Sequence, residues 1–312
     1  MDKKLDSQTI RIFLAFEWHV NDIIEYLPTI SSMGFNAIEI TPFQPMKQKV
    51  TNKNEWWLCF QPLGFRIGNQ YGSKEEIKRL CEEAKKYDIR IIGNIVLNHV
   101  ANGDGFEFHK NVDKELTLRS DFWKPRINID WSNENRYDVI HHCLYNLPGL
   151  NLANHDLQEI IFKFLDKCIN IGIGGFRFDA AKNIATPNER YDFSENHSCD
   201  FWSRLNEFIG DRDIYMYAEV IYSPMEVIDE YCKYVHVITQ NIGSNADRIV
   251  SYISNHDTEK EFGVTKNLSM DEIIDRYEIL CKSFKHTQFY PRPFDNKWIG
   301  NKKLMEANMY TR

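Results

Sequence analysis

The sequence predicts an α/β fold, a (β/α)8 barrel with a small irregular subdomain inserted after the third strand. Three observations predict it. Short apolar runs alternate with amphipathic helical patterns from one end of the chain to the other. The run "IRIIGNIVLNHV" is apolar almost without a break, as strands buried on both faces of a parallel sheet are. The length, 312 residues, exceeds that of most single domains, yet a barrel reaches it as one folding unit.

The elements follow in order. "TIRIFLAF" reads as a strand, residues 19 to 33 as a helix stopping before Gly34, and "NAIEI" as a second strand. "SKEEIKRLCEEAKKY" has Ser73 as N-cap, Glu76 three residues later as in a capping box, and an apolar face at Ile77, Leu80, Cys81 and Ala84. It leads into the third strand, completing a βαβαβ opening. From Ala101 to Leu150 periodicity is lost among Asn, Asp, His, Trp and Lys, a length that argues for a small subdomain over a bare loop. Regularity returns with the helix "HDLQEIIFKFLDKCINIG", the strand "GGFRFDA", a helix near 199 to 209 and the strand "IYMYAEV". The helix "PMEVIDEYCKY", the strand "VHVITQ", a short helical turn, the strand "IVSYIS", a helix near 270 to 284 and the strand "HTQFY" complete eight strands. The expected organisation is barrel over 1–100, inserted subdomain over 101–150 and barrel again over 151–312.

Composition narrows the function classes. The formal net charge is -7 with no basic block, which argues against nucleic acid as a partner. No apolar run approaches a membrane span, and "MDKKLDSQTIRIF" lacks a signal-peptide pattern, so the expectation is a soluble cytoplasmic chain with no evident protein partner. The seven cysteines are scattered and never form CxxC, which favours a reducing compartment and no zinc site. The cluster "EWWLCF" is either core or a platform for flat apolar ligand faces such as sugar rings.

The stretch "GGFRFDAAKNI" places Arg177 and Asp179 two residues apart, hence on one face of a strand, with Phe176 and Phe178 on the other. By itself this is either a buried structural ion pair or half of an active site. His99, Asp179, Glu219 and the pair His256 and Asp257 all fall at or just past the C-terminal end of an expected strand, where barrels assemble active sites. Three carboxylates, two histidines and an arginine suit retaining glycoside cleavage, which needs a nucleophilic carboxylate and a proton donor roughly 5 to 5.5 Å apart. Asp179 beside Arg177 suits the nucleophile. Glu219, in the apolar and aromatic "YMYAEVIY", suits the proton donor. Asp257 would then grip sugar hydroxyls, with His99 and His256 donating hydrogen bonds.

Four segments, "NIVLNH", "GFRFDAAKN", "AEVI" and "SNHD", resemble in order the signature regions of the α-amylase family, glycoside hydrolase family 13. The stretch "WWLCFQPLGFRIGNQYG" is similar to the one after the second strand in animal-type and Bacillus-type members. The resemblance implies Asp179 as nucleophile, Glu219 as general acid/base and Asp257 as the carboxylate that holds the distorted sugar. It implies Arg177 as the cation beside the nucleophile, and His99 and His256 as sugar contacts in the cleavage subsite. Phe60 and Gln61 match the residues that stack on and hydrogen-bond that sugar, although the family usually has Tyr where Phe60 stands. Lys182 matches a leaving-group lysine and Trp56 and Trp57 match subsite aromatics; core packing or a solvated charge is the alternative for these three. The implied activity is hydrolysis of α-1,4 linkages in starch, glycogen or maltooligosaccharides, with no cofactor needed for the chemistry. A transglycosylase with the same residues and a non-catalytic glucan-binding relative are the rivals.

The sequence also departs from the family. Asn94 stands where the first signature region usually opens with Asp, which leaves Arg177 short of a counter-charge. For calcium the matching positions are Asn98 and Asn151, both neutral, with backbone oxygens near His142 and Asn183; without a carboxylate the expectation is weak binding or none, unless Asp138 or Asp156 supplies the charge. For chloride, Arg177 and Asn255 match two ligands and a third Arg is lacking. About twenty residues follow the last expected strand, too few for the C-terminal β-sandwich of most relatives.

Overall fold

The structure, a computed structural model, describes residues 8–133, 135–240, 245–291 and 296–310. Residues 1–7, part of the opening stretch read as lacking a leader, lie outside the described residues. Eight strands, β1 (Ile10–Ala15), β2 (Ala37–Ile40), β3 (Arg90–Val96), β4 (Gly175–Asp179), β5 (Tyr215–Glu219), β6 (His236–Ile238), β7 (Ile249–Tyr252) and β8 (His286–Phe289), form a closed barrel in chain order. Every neighbouring pair is parallel, β8 closing onto β1. This is the (β/α)8 barrel that the strand and helix alternation predicts.

Side chains alternate in and out along each strand. Inside the barrel, Ile10, Ile12, Ala37, Ile92, Tyr215, Tyr217, Ile238, Val250 and Tyr252 pack into one cluster. Outward residues such as Phe13, Ile38, Phe176, Phe178 and Met216 join the larger core beneath the helices. Gly175 is needed inside: a Cβ there would meet the Tyr215 carbonyl oxygen at 2.6 Å. The same alternation turns Arg177 and Asp179 of β4 and Tyr217 and Glu219 of β5 inward, so the charges of "GFRFD" face the barrel axis.

The helices form where the sequence supplies caps and apolar faces. Helix α1 (Val20–Ser32) buries Val20, Ile23, Leu27 and Ile30 and ends before Gly34, whose φ is 85°. In α2 (Lys74–Ala84) the Ser73 hydroxyl accepts from the Glu76 N–H at 3.2 Å while Glu76 accepts from the Ser73 N–H at 2.8 Å, closing the capping box. Between β3 and β4 the chain makes two short helices, α3 (Lys114–Thr117) and α4 (Arg136–His141), and isolated bridges such as His99 to Gly149 and Trp123 to Leu150. It then enters α5 (His155–Asn170). Helices α6 (Phe201–Ile209), α7 (Met225–Tyr231) and α8 (Met270–Ser283) follow β4, β5 and β7. Strict alternation fails between β6 and β7, where the described residues hold one 3-10 turn, Ala246–Arg248. A final helix, α9 (Lys302–Asn308), packs against α8. No helix among the described residues is long and apolar enough to cross a membrane.

Candidate active site

At the C-terminal mouth of the barrel lies a cavity of about 800 Å³. Its lining includes Trp56, Trp57, Phe60, Gln61, His99, Asp179, Lys182, Asn183, Glu219 and Asp257. Residues from β4, β5, the loops after β3 and β7 and the 3-10 helix Lys53–Phe60 thus meet in one place. A neighbouring hollow of about 1040 Å³, lined by Trp18, Tyr26, Lys53 and Lys266 among others, contains none of these carboxylates.

Arg177 organises the floor. Its Nη1 donates to Asp179 Oδ1 at 2.6 Å and to Asn94 Oδ1 at 3.0 Å, and its Nη2 donates to Glu219 Oε1. Glu219 Oε2 accepts from the Ala180 N–H at 2.9 Å. That bond exists because Ala180 adopts a left-handed conformation, φ 46°, a conformation that L residues other than Gly, Asn and Asp visit at a cost of order 1 kcal/mol. The sequence reading gives Arg177 to Asp179 and leaves Glu219 in apolar surroundings. The structure corrects it: one guanidinium holds both carboxylates.

A third carboxylate reaches the same cation. Glu39 of β2 lies 3.9 Å from Arg177 Nε, accepts from Asn94 Nδ2 at 3.0 Å and from Gln288 Nε2 at 2.5 Å, and accepts from the Tyr217 hydroxyl at 2.5 Å. The sequence reading leaves Arg177 short of a counter-charge at Asn94; the structure brings a further carboxyl, Glu39 of β2, to 3.9 Å from its Nε across β3. The signal was present in "NAIEI", where a Glu shares the inward face of an apolar strand just as Arg177 does.

Three buried carboxyls, Glu39, Asp179 and Glu219, and the partly exposed Asp257 share the field of one guanidinium, and their proton affinities follow. Burial pushes Asp179 upward against the pull of Arg177. Burial also raises Glu219, opposed by Arg177 and reinforced by the charge of Asp179. Asp257 is pushed well up, by burial and then by the charge of Glu219, with the charge of Arg177 opposing. Glu39 is likewise raised by burial.

His256 is sandwiched between Phe16 at 4.3 Å and Phe60 at 4.9 Å, both stacked, and lies 3.4 Å from Asp257. Burial holds it neutral, and neither ring nitrogen has a hydrogen-bond partner. Gln61 Oε1 is buried without a partner in the same region. Buried polar atoms left unpaired call for a reason, and a polar ligand is one. His99 differs: its Nε2 donates to the Phe60 carbonyl at 2.8 Å and its Nδ1 meets Asn98 at 3.3 Å, so both nitrogens are engaged by the protein. Burial pushes its pKa down to about 4.

Trp56 packs edge-on against Phe16, Phe60 and His256, while Trp57 is exposed beside Lys47. Lys182 stands over the Trp131 ring at 5.1 Å. Trp131, Tyr145, Tyr222 and Phe262 line the rim, and none was singled out from the sequence. Directly after Asp257 the chain forms a five-residue π-helix, Thr258–Phe262, a rare element found mostly at functional sites.

The positions matched to calcium do not form a metal cage. The Lys124 ammonium donates to Asn98 Oδ1 at 3.3 Å and to the Asn183 carbonyl at 2.7 Å. Asn151 turns its amide nitrogen to the Asp121 and Phe193 carbonyls and its oxygen to the Ala153 N–H. His142 faces Asp138 at 3.5 Å, and Asp156 is paired with Arg119 at 2.9 Å, so neither acid supplies the charge. Among the described residues no group of three or more His, Cys, Asp or Glu could hold a metal. For chloride, the Arg177 donors go to Asn94 and to carboxylates, and Asn255 Oδ1 caps the Thr258 N–H at 3.0 Å.

A closed parallel barrel with carboxylates converging at its strand ends around one arginine defines a barrel of the glycoside-hydrolase class. The chain belongs to the alpha-amylase family: the family model described as "Alpha amylase, catalytic domain" matches residues 19–288. It is 37% identical over 210 residues to an alpha-amylase of Clostridium acetobutylicum, covering 66% of this chain and 27% of that protein. It is 24% identical over 288 residues to an alpha-amylase of Butyrivibrio fibrisolvens, covering 86% of this chain and 28% of that protein. The chain thus spans little more than a quarter of these curated relatives. In fold it is similar to the alpha-amylase of Geobacillus thermoleovorans, solved in complex with acarbose, with a TM-score of 0.68 and 16% identity over 97% of this chain and 77% of that one.

Proposed function

We propose that this chain carries the catalytic site of a retaining α-glucan hydrolase that cleaves α-1,4 bonds of starch, glycogen or maltooligosaccharides. The observation that carries the reading is Arg177 gripping Asp179 and Glu219 from adjacent strands at the floor of an aromatic-lined cavity. Two carboxylates on one guanidinium are near neighbours, as the retaining mechanism, with its carboxyls roughly 5 Å apart, requires. Asp179 attacks the anomeric carbon as the glycosidic C–O bond breaks, and Glu219 delivers its proton to the leaving oxygen. Water then attacks the anomeric carbon of the glycosyl ester from the face the leaving group vacated, opposite Asp179, giving its proton to Glu219 as the bond to Asp179 breaks. Before it can act as an acid, Glu219 must let go of Arg177 and take a proton, and the crowding of carboxyls around one cation favours that uptake. Asp257 and Gln61, which line the cavity, present polar atoms to the sugar, while His256 sits behind them, stacked between Phe16 and Phe60.

A transglycosylase using the same groups is favoured by one feature: exposed Tyr145, Tyr222 and Phe262 on the rim offer faces on which an acceptor sugar can stack ahead of water. Incubation with maltoheptaose, followed by NMR of the first anomer released and by the product lengths, tests both. Release of α-anomers shorter than the substrate supports hydrolysis with retention; products longer than the substrate support transfer. Release of β-anomers would overturn the assignment of Asp179 as a nucleophile.

A further inference from the structure

Lys124 is a lysine only 5% exposed, in the segment between β3 and α5. Its main-chain N–H donates to the Gly149 carbonyl at 2.8 Å, and its stem lies so close to Gly149 that a Cβ there would meet Lys124 Cδ at 3.1 Å. The ammonium ends between two oxygens, Asn98 Oδ1 just past β3 and the Asn183 carbonyl just past β4. Both belong to the positions that the family resemblance assigns to calcium.

We propose that the Lys124 ammonium is the fixed internal cation of this junction, standing in place of a calcium ion and, through Asn98, setting the ring of His99 at the cavity. Calcium takes six to eight oxygens and draws its affinity from carboxylates. Burial pushes the Lys124 pKa down to about 8, so at neutral pH an ammonium already sits among neutral oxygens and repels a dication. Asn151, a third matched position, has its amide committed to Asp121, Phe193 and Ala153.

The consequence for the cavity follows from donor and acceptor chemistry. A lysine ammonium only donates, so Asn98 must present its oxygen to Lys124. The Asn98 amide nitrogen is then the atom that faces His99 Nδ1, at 3.3 Å. An amide nitrogen only donates, so Nδ1 is the acceptor and the single ring proton resides on Nε2, which donates to the Phe60 carbonyl. One uninterrupted path therefore runs from Lys124 through Asn98 and His99 to the backbone of Phe60, whose ring lines the cavity and stacks on His256. Lys124 acts as a positioning residue and touches no substrate.

Melting and NMR of the parent protein test this without reference to glucan cleavage, so its failure is distinguishable from failure of the proposed activity. Chelator and millimolar calcium chloride are each expected to leave the melting midpoint unchanged within about a degree; a rise of several degrees with calcium would overturn the internal cation. Long-range proton–nitrogen spectra of the parent are expected to show His99 with its proton on Nε2; a proton on Nδ1 would overturn the relay. Lys124→Met is expected to melt several degrees lower and to change the His99 nitrogen signature, while Lys124→Arg restores part of both. A Lys124→Met protein with parental melting and a parental His99 spectrum would overturn the proposal, and the parent measurements decide it even where that variant does not fold.

Discussion

Glu39 and Arg177 face each other inside the barrel at 3.9 Å, 1% and 2% exposed, with the Asn94 amide bonded to both. The amide is suited to that place because it donates to the carboxylate on one side and accepts from the guanidinium on the other. A carboxylate at position 94 could do only the second.

Asn94→Asp is therefore expected to destabilise the fold by about 3 kcal/mol near neutral pH, the scale of an uncompensated buried charge. The new carboxylate would face Glu39, and one of the two would hold a proton. A carboxyl whose folded pKa is raised contributes stability at low pH and loses it as pH rises, so the deficit should be larger at pH 8 than at pH 5. Adding Glu39→Gln should return most of the loss by restoring a donor and the charge balance. Urea unfolding of the single and double variants at both pH values measures this; an unchanged single variant would show that position 94 tolerates either residue.

Asp179→Asn should abolish turnover of maltoheptaose by about 10⁴-fold or more without lowering the melting midpoint. The Asn oxygen can still accept from Arg177 Nη1, since only Oδ1 of Asp179 is bonded to it. Removing a carboxyl that burial disfavours is neutral or stabilising, the usual trade at catalytic positions. Retained hydrolysis would remove Asp179 from the nucleophile's role.

Glu219→Gln should behave differently in the fold. Both Glu219 oxygens accept, one from Arg177 and one from the Ala180 N–H, and an amide can replace only one acceptor. We expect a loss of about 1–3 kcal/mol, the cost of a buried donor without a partner. In activity, aryl glycosides whose leaving group needs no proton should lose far less glycosylation rate than maltooligosaccharides. Equal losses on the two substrate types would rule out Glu219 as the proton donor.

Much of this was legible in the chain because buried parallel strands leave continuous apolar runs and a charge inside one stands out. Arg177, Asp179 and Glu219 were found that way, and the Ser73 and Glu76 box marked a helix start that the structure places at Lys74. Glu39 carries the same mark but sits next to no motif, so its role emerges only when strand pairing sets β2 beside β3 and β3 beside β4. Lys124 gives no local signal: in "DFWKPRIN" nothing is periodic, and its partners lie 26 and 59 residues away. The second bond to Glu219 comes from the N–H of Ala180 in a left-handed turn, which no residue type there announces.

The remaining prediction concerns acid stability. Burial depresses six histidines: His286 to about 3, His99 to about 4, His236 and His256 well below their usual value, and His109 and His141 less far. In the unfolded chain they would take protons near pH 6.5. Between that pH and the folded values the unfolded state binds more protons, so this stability is present above about pH 6.5 and is lost as pH falls. The raised carboxyls of Glu39, Asp179, Glu219 and Asp257 work in the opposite sense, favouring the fold at low pH. The histidine contribution can be isolated at His286, which is buried beneath the site against His236 at 4.4 Å and Tyr215 at 5.4 Å. His286→Phe keeps a flat ring and removes the proton site, so the variant should lose about 2 kcal/mol less than the parent between pH 6.5 and pH 5. Denaturant unfolding across that range gives the comparison. Parallel curves for parent and variant would mean that His286 takes its proton in the folded protein as readily as in the unfolded one.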